Sequence, residues 1–204
     1  MEDPAPLVSA DEALQRLIDG NERFVQGRPT GLGSYRYNIS DLAHGQKPFA
    51  TVLGCSDSRV PPELVFDVGL GELFVIRVAG NVYSPAIAAS LQYAVAHLNT
   101  ALLVVLGHRK CGAVSAAIAS VAEGTVHRSR IQILIDRILP AIGKLDPHHS
   151  PAQRLDDAVE NNMRWTVHQI TETPEAKARQ AEGVFKIVGA IYDIETGKVS
   201  FKSV

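Results

Sequence analysis

Three short apolar runs in the first half of the chain predict buried β-strands, at 49–54, 73–78 and 102–107. Unbroken apolar runs of this kind are typical of a parallel sheet, whose strands are covered on both faces. Helical segments are predicted around them at 11–26, from Pro61–Pro62, at 84–97 and at 111–123. This alternation of strand and helix is the βαβ pattern, so we expect a mainly parallel central sheet.

The second half of the chain is more polar and more helical. Helical periodicity covers 128–144, 151–171 and 174–182, and strands are expected at 183–192 and 199–202, joined by a turn at Thr196–Gly197. The fold class is therefore α/β: a mainly parallel sheet flanked by helices, an N-terminal helical arm, and a C-terminal helical segment plus strand hairpin.

We predict one domain with three parts: an arm and loop (1–48), a core (49–123), and the last helices and strands (124–204). The helix at 11–26 has an apolar stripe to bury, either on its own domain or on a neighbouring subunit. Segment 27–47 is rich in Gly, Tyr, Asn and Ser, and we expect an extended loop there.

Composition narrows the function classes. The 204 residues are 46% hydrophobic and 21% charged with a net charge of -2, which is ordinary for a globular protein and gives no basic surface for nucleic acid. The N-terminus has no signal-peptide pattern, and no apolar run approaches a membrane span, so neither secretion nor a membrane is expected. Two cysteines indicate a reducing compartment, the cytoplasm, although a Cys55–Cys111 disulfide remains an alternative.

Both cysteines follow predicted strands. Cys55 comes directly after the first strand, and His108 and Cys111 come directly after the third. Because parallel strands end at one edge of the sheet, where such folds bind ligands, we expect these side chains to meet. Two thiolates and one imidazole suit zinc, and three protein ligands leave a fourth position open for catalysis.

Asp57 and Arg59 lie beside Cys55, two residues apart. In a turning segment they can form a bidentate ion pair, which would keep the carboxylate ionised and aimed. Asp57 could then accept a hydrogen bond from a metal-bound water, or ligate the metal when it leaves Arg59. Equally, the pair could merely tie the loop together.

These motifs closely resemble the β-class carbonic anhydrases. Cys-Ser-Asp-Ser-Arg after one strand, His-x-x-Cys-Gly after a later one, and the intervening segment 71–81 occur in that family's order and spacing. The resemblance is close in individual residues over 46–117. The N-terminal helix and the C-terminal half of the chain resemble the family only in their general pattern.

The resemblance implies the zinc-dependent reversible hydration of CO2 to bicarbonate and a proton, with one Zn2+ per chain. Its ligands would be Cys55, His108 and Cys111, and Asp57 held by Arg59 would orient a zinc-bound hydroxide. We expect activity to rise above neutral pH, because two thiolates make the metal-bound water harder to ionise. Residues implied at the substrate are Gln46, Phe74, Ala79, Tyr93 and Gly112.

The resemblance also implies a homodimer or homotetramer with active sites near the dimer interface. One subgroup is inhibited by bicarbonate at a second site and has Trp where this chain has Val52. Although Arg77 resembles another member of that site, we expect no such pocket here.

Two other functions stay open. The same zinc site could act on CS2 or COS, which composition cannot distinguish from CO2. Alternatively, zinc could stabilise a non-catalytic scaffold. A closed structural site needs a fourth ligand, and with no third cysteine only a permanently bound Asp57 could supply it.

Overall fold

A computed structural model of the chain describes residues 8–30, 39–124, 126, 128–143 and 145–202. Within these residues, five strands form one sheet in the order β2-β1-β3-β4-β5. Pairing is parallel from β2 to β4, and β5 joins β4 antiparallel as the predicted hairpin. The strands are β1 Ala50–Gly54, β2 Leu73–Arg77, β3 Leu102–His108, β4 Lys186–Tyr192 and β5 Val199–Lys202. The predicted fold class is confirmed.

Helices surround the sheet close to the predicted positions. They are α1 Ala10–Val25, α2 Ile39–Leu42, α3 Pro62–Val65, α4 Pro85–Ala96, α5 Gly112–Glu123, α6 Ile131–Ile142, α7 Pro151–Thr171 and α8 Pro174–Ala181. The loop predicted at 27–47 is wrong where α2 interrupts it, because four residues are too few to produce a helical period. Positions 31–38 of that loop lie outside the described residues.

The central strand β3 is buried along its whole length, which explains its unbroken apolar sequence. Its side chains alternate between two hydrophobic clusters, one on each face of the sheet. Leu103 and Val105 belong to the cluster formed with α4, α5, α6 and α7. Leu102 and Val104 belong to the cluster formed with α1 and α3.

Helix α1 packs on this chain's own sheet. Leu17 is fully buried in the second cluster. The buried amide of Asn21 donates to the carbonyls of Val65 (3.0 Å) and Gly197 (2.9 Å) and accepts from the Val199 amide (2.8 Å). Of the two placements that the sequence left open for this helix, its own domain is therefore the one observed.

Strands β1 and β3 pair so that Gly54 lies opposite Leu106, and both strands end at the same edge of the sheet. Helix α7 lies against β3 and β4 and also contacts the 3-10 turn Ala79–Asn81 that follows β2. It begins with a capping box between Ser150 and Gln153. In the described part of the chain, no helix has the length and apolar character needed to cross a membrane.

Candidate metal centre and active site

The two strand ends bring Cys55, His108 and Cys111 together, as the sequence predicts. One ligand atom from each lies within 4.8 Å of the others, and all three residues are buried. The two sulfur atoms are 4.0 Å apart and both cysteines are free, so the disulfide alternative is not observed. His108 ends β3, and Cys111 stands immediately before the first turn of α5.

The imidazole of His108 has one nitrogen satisfied and one unsatisfied. Its Nδ1 lies 2.9 Å from the carbonyl oxygen of Arg109, a contact that assigns the proton to Nδ1. Nε2 therefore carries a lone pair that is available to a metal ion. This nitrogen is buried and has no hydrogen-bond partner among the described residues. A buried nitrogen without a partner, beside two thiols, fits a metal ion as the missing partner.

The surroundings of the two thiols favour negative charge on Cys55 rather than on Cys111. Cys55 Sγ accepts a hydrogen bond from the Gly80 amide at 3.3 Å. A hydrogen bond from Cys111 lowers the pKa of Cys55. That same bond, together with burial, raises the pKa of Cys111. A metal ion bound here would require both thiols to give up their protons.

Asp57 and Arg59 form the bidentate pair that their spacing predicts. Arg59 Nε lies 2.9 Å from Oδ1, Arg59 Nη2 lies 2.8 Å from Oδ2, and the Arg59 amide also donates to Oδ1 at 3.0 Å. These hydrogen bonds hold the pKa of Asp57 well below its usual value. Asp57 Oδ2 is 3.9 Å from His108 Nε2, so the ionised carboxylate stands beside the metal-binding cluster.

Arg77 holds the loop that carries Cys55 and Asp57. Its Nε donates to the Cys55 carbonyl at 3.0 Å, and its Nη2 donates to the Asp57 carbonyl at 2.6 Å. This contact follows from the register of β1 and β2, in which Gly54 pairs with Arg77. Sequence reasoning missed this contact because the pairing of β2 with β1 could not be read from the chain.

The turn Ala79–Asn81 supplies the Gly80 amide, and α7 supports the turn. Gly80 has φ 71° and Asn81 has φ 43°. Asn162 Nδ2 donates to the Gly80 carbonyl at 2.8 Å, and Thr166 Oγ1 donates to the Asn81 carbonyl at 3.1 Å. Sequence analysis also missed these two α7 residues, because nothing in a helical segment so distant in sequence indicates contact with this turn.

The residues expected at the substrate divide into two groups. Ala79 lies next to Gly80, and Gly112 follows Cys111 at the start of α5, so both are near the cluster. Phe74 and Tyr93 pack together with ring centroids 6.0 Å apart, but Tyr93 is 46% exposed. Gln46 is exposed in the segment before β1.

Tyr93 also lines a cavity of about 670 Å³ between α4, α8 and the end of α7. The three candidate ligands are not among the residues that line this cavity. Within one chain, this cavity therefore does not join Tyr93 to the metal-binding cluster.

A mainly parallel sheet with a buried Cys-His-Cys cluster and an Asp–Arg pair at its carboxyl edge defines an α/β protein with three residues positioned to bind a metal ion. Residues 50–199 match the family model described as carbonic anhydrase. Carbonic anhydrase 2 of Mycobacterium tuberculosis is 40% identical over 187 residues, covering 91% of this chain and 89% of that protein.

Two solved structures are similar. The β-carbonic anhydrase CcaA has a TM-score of 0.73 at 29% identity, covering 93% of this chain and 87% of the other. A tetrameric β-carbonic anhydrase of Sordaria macrospora has a TM-score of 0.75 at 22% identity, covering 94% and 97%. The chain belongs to the β-carbonic anhydrase family, and thereby to the carbonate dehydratases.

Proposed function

We propose that this protein catalyses the reversible hydration of CO2 to bicarbonate and a proton, using one zinc ion per chain held by Cys55, His108 and Cys111. The observation that carries the proposal is the buried Nε2 of His108, which has no hydrogen-bond partner among the described residues and lies 3.9 Å from Asp57, in a residue that clusters with two thiols. Membership of the family supports the reaction.

The donor set favours zinc over harder cations. Thiolate and imidazole ligands suit Zn2+, whereas Mg2+ and Ca2+ prefer oxygen. Zinc held by three protein ligands would make a water in its fourth position acidic enough to serve as a nucleophile near neutral pH.

Asp57 would orient the attacking water. Arg59 keeps the carboxylate ionised, so Asp57 can accept a hydrogen bond but is a poor acceptor for the proton itself. Its side chain is 17% exposed, which leaves solvent or buffer within reach to take the released proton. Arg59 binds both carboxylate oxygens, and this fixes the direction in which Asp57 accepts.

A closed state can form when this pair breaks. Asp57 already stands beside the cluster, and without Arg59 it could take the fourth metal position and exclude water. We propose that low pH favours this closing. The bidentate pair would then belong to the open arrangement.

A second copy of the chain would complete the substrate pocket. Ala79 and Gly112 stand at this chain's cluster, whereas Gln46 and Tyr93 are exposed, and Phe74 packs against Tyr93. We propose that these three serve the neighbouring site in a homodimer or homotetramer. Helix α4 is apolar on most of its surface, as expected for a helix buried in an interface. The cytoplasm would keep both thiols reduced for zinc.

The test is the initial rate of CO2 hydration by zinc-loaded protein at about pH 8.5, with zinc measured per chain. Cys111→Ser should lose both zinc and rate, and Asp57→Asn should keep zinc but lose rate. Circular dichroism checks that each variant is folded. No rate above buffer at one zinc per chain would refute the proposal. Turnover of CS2 or COS by that sample would then support the related-substrate alternative. No turnover of any of these substrates would support a non-catalytic scaffold stabilised by zinc.

A further inference from the structure

We propose that Asn162 and Thr166 of α7 are positioning residues of the metal centre. They hold the turn Ala79–Asn81 so that the Gly80 amide donates its hydrogen bond to the Cys55 sulfur. The inference rests on the proposed function only in taking Cys55 as a metal ligand.

A continuous chain of contacts joins α7 to the sulfur. Asn162 Nδ2 donates to the Gly80 carbonyl at 2.8 Å, and the amide of the same Gly80 donates to Cys55 Sγ at 3.3 Å. Thr166 Oγ1 donates to the Asn81 carbonyl at 3.1 Å, one residue further along. Asn162 and Thr166 are each only 1% exposed, so no water competes for these carbonyls.

The turn needs this support because of its backbone. Gly80 and Asn81 have φ values of 71° and 43°, in the left-handed region that non-glycine residues rarely adopt. Their buried carbonyls need donors, and the α7 side chains supply them. Without these donors the Gly80–Asn81 and Asn81–Val82 peptide units could rotate to find other partners. The adjoining Ala79–Gly80 unit, which carries the Gly80 N–H, would then lose the support that holds this N–H on the sulfur.

Polar groups at the contact between α7 and the turn are also incompletely satisfied. Asn162 Oδ1 and Asn81 Nδ2 are buried and have no hydrogen-bond partner among the described residues. Burying an unpaired amide group is unfavourable for folding, and the chain tolerates this at position 162 while Asn162 Nδ2 donates to the Gly80 carbonyl. Holding the turn beside Cys55 is a role that an apolar residue could not perform.

An N–H hydrogen bond to a thiolate withdraws charge from the sulfur and fixes its direction. Outer contacts of this kind typically change metal affinity by about 10- to 100-fold when removed. Loosening the turn should therefore weaken metal binding and make the sulfur a stronger donor of charge to the metal. In a cobalt-substituted protein, the stronger donation moves the thiolate-to-cobalt charge-transfer band to longer wavelength.

The experiment loads the 204-residue chain and its variants with Co2+ and measures this band, together with metal affinity by competition with a chelator. Asn162→Leu removes the donor to the Gly80 carbonyl while the side chain keeps nearly the same shape. Thr166→Val does the same at the next carbonyl, whereas Thr166→Ser keeps the hydroxyl. Thr100→Val is the control, because it removes a buried hydroxyl bonded to Thr51 at the start of β1, away from the metal-binding edge.

We expect Asn162→Leu and Thr166→Val to show the longer-wavelength band and roughly 10- to 100-fold weaker affinity. Thr166→Ser and Thr100→Val should match the unaltered protein. Equal bands and affinities in all folded variants would overturn the inference. If Asn162→Leu fails to fold, the comparison of Thr166→Val with Thr166→Ser decides. An unaltered protein without thiolate-to-cobalt bands would instead overturn the metal site itself, and the inference with it.

Discussion

Gly80 lies so close to Ile138 of α6 that a β-carbon on Gly80 would stand 2.9 Å from the Ile138 Cδ1 atom. It would also stand 3.2 Å from the β-carbon of Ala113, and φ at this position is 71°. Only glycine combines this backbone with this approach, so packing against α5 and α6 also shapes the turn beside Cys55.

Gly80→Ala should therefore destabilise the protein by about 1–3 kcal/mol and weaken metal binding. Urea unfolding with and without zinc measures both effects. Ile138→Val removes the Cδ1 atom, so this second substitution should recover part of the loss in the Gly80→Ala background, although alone it costs about 0.5–1.5 kcal/mol. Strictly additive effects in the double variant would contradict the steric explanation.

Arg59→Lys tests the bidentate pair. Lysine keeps the charge but cannot donate two parallel hydrogen bonds to Asp57, so the carboxylate loses its fixed direction. We expect the hydration rate to fall by about 10- to 100-fold at unchanged zinc content. Arg164→Lys is the matched control, because Arg164 pairs with Glu160 on the exposed side of α7. An undiminished rate in Arg59→Lys would mean that Asp57 needs only a nearby positive charge.

His149 should titrate above the ordinary histidine range. A hydrogen bond with Asp157, 2.6 Å from Nδ1, raises its pKa, and the nearby charge of Asp146 adds to this. The pKa of His149 is higher in the folded state than in the unfolded state. Its pairing with Asp157 therefore stabilises the folded protein fully below about pH 6.5, and this stabilisation is lost as pH rises through the folded-state pKa. Proton NMR titration should show the raised value, and Asp157→Asn should lower it. His149→Gln identifies the signal. A pKa unaffected by Asp157→Asn would contradict this explanation.

Leu17→Ala tests where α1 packs. Leu17 is fully buried within the chain, so the substitution should cost about 2–5 kcal/mol of unfolding free energy. The loss should not depend on protein concentration, because the cavity opens inside one chain. Leu70→Ala, at a side chain that is 50% exposed, is the control and should cost much less. A loss that appears only when subunits associate would place the partner of α1 on another chain.

The sequence by itself determined the strands, most helices and the likeness of the site to the family. Unbroken apolar runs identify buried strands because both faces of a parallel sheet are covered. Since parallel strands end at one edge, the positions of Cys55 and of His108 with Cys111 predicted a shared cluster. The Asp57–Arg59 pair was also readable, because the two residues are neighbours in one turn.

Only the tertiary structure decided what holds that cluster in place. The Arg77 contact depends on the register of two strands, and the Asn162 contact depends on how α7 packs across the sheet. The short helix α2 and the burial of α1 on its own sheet were likewise decided only by the tertiary structure. The periodicity of apolar residues shows which face of a helix or strand is apolar. The features above depend instead on which distant element covers that face. The interaction energies that select this covering element arise only in the packed chain.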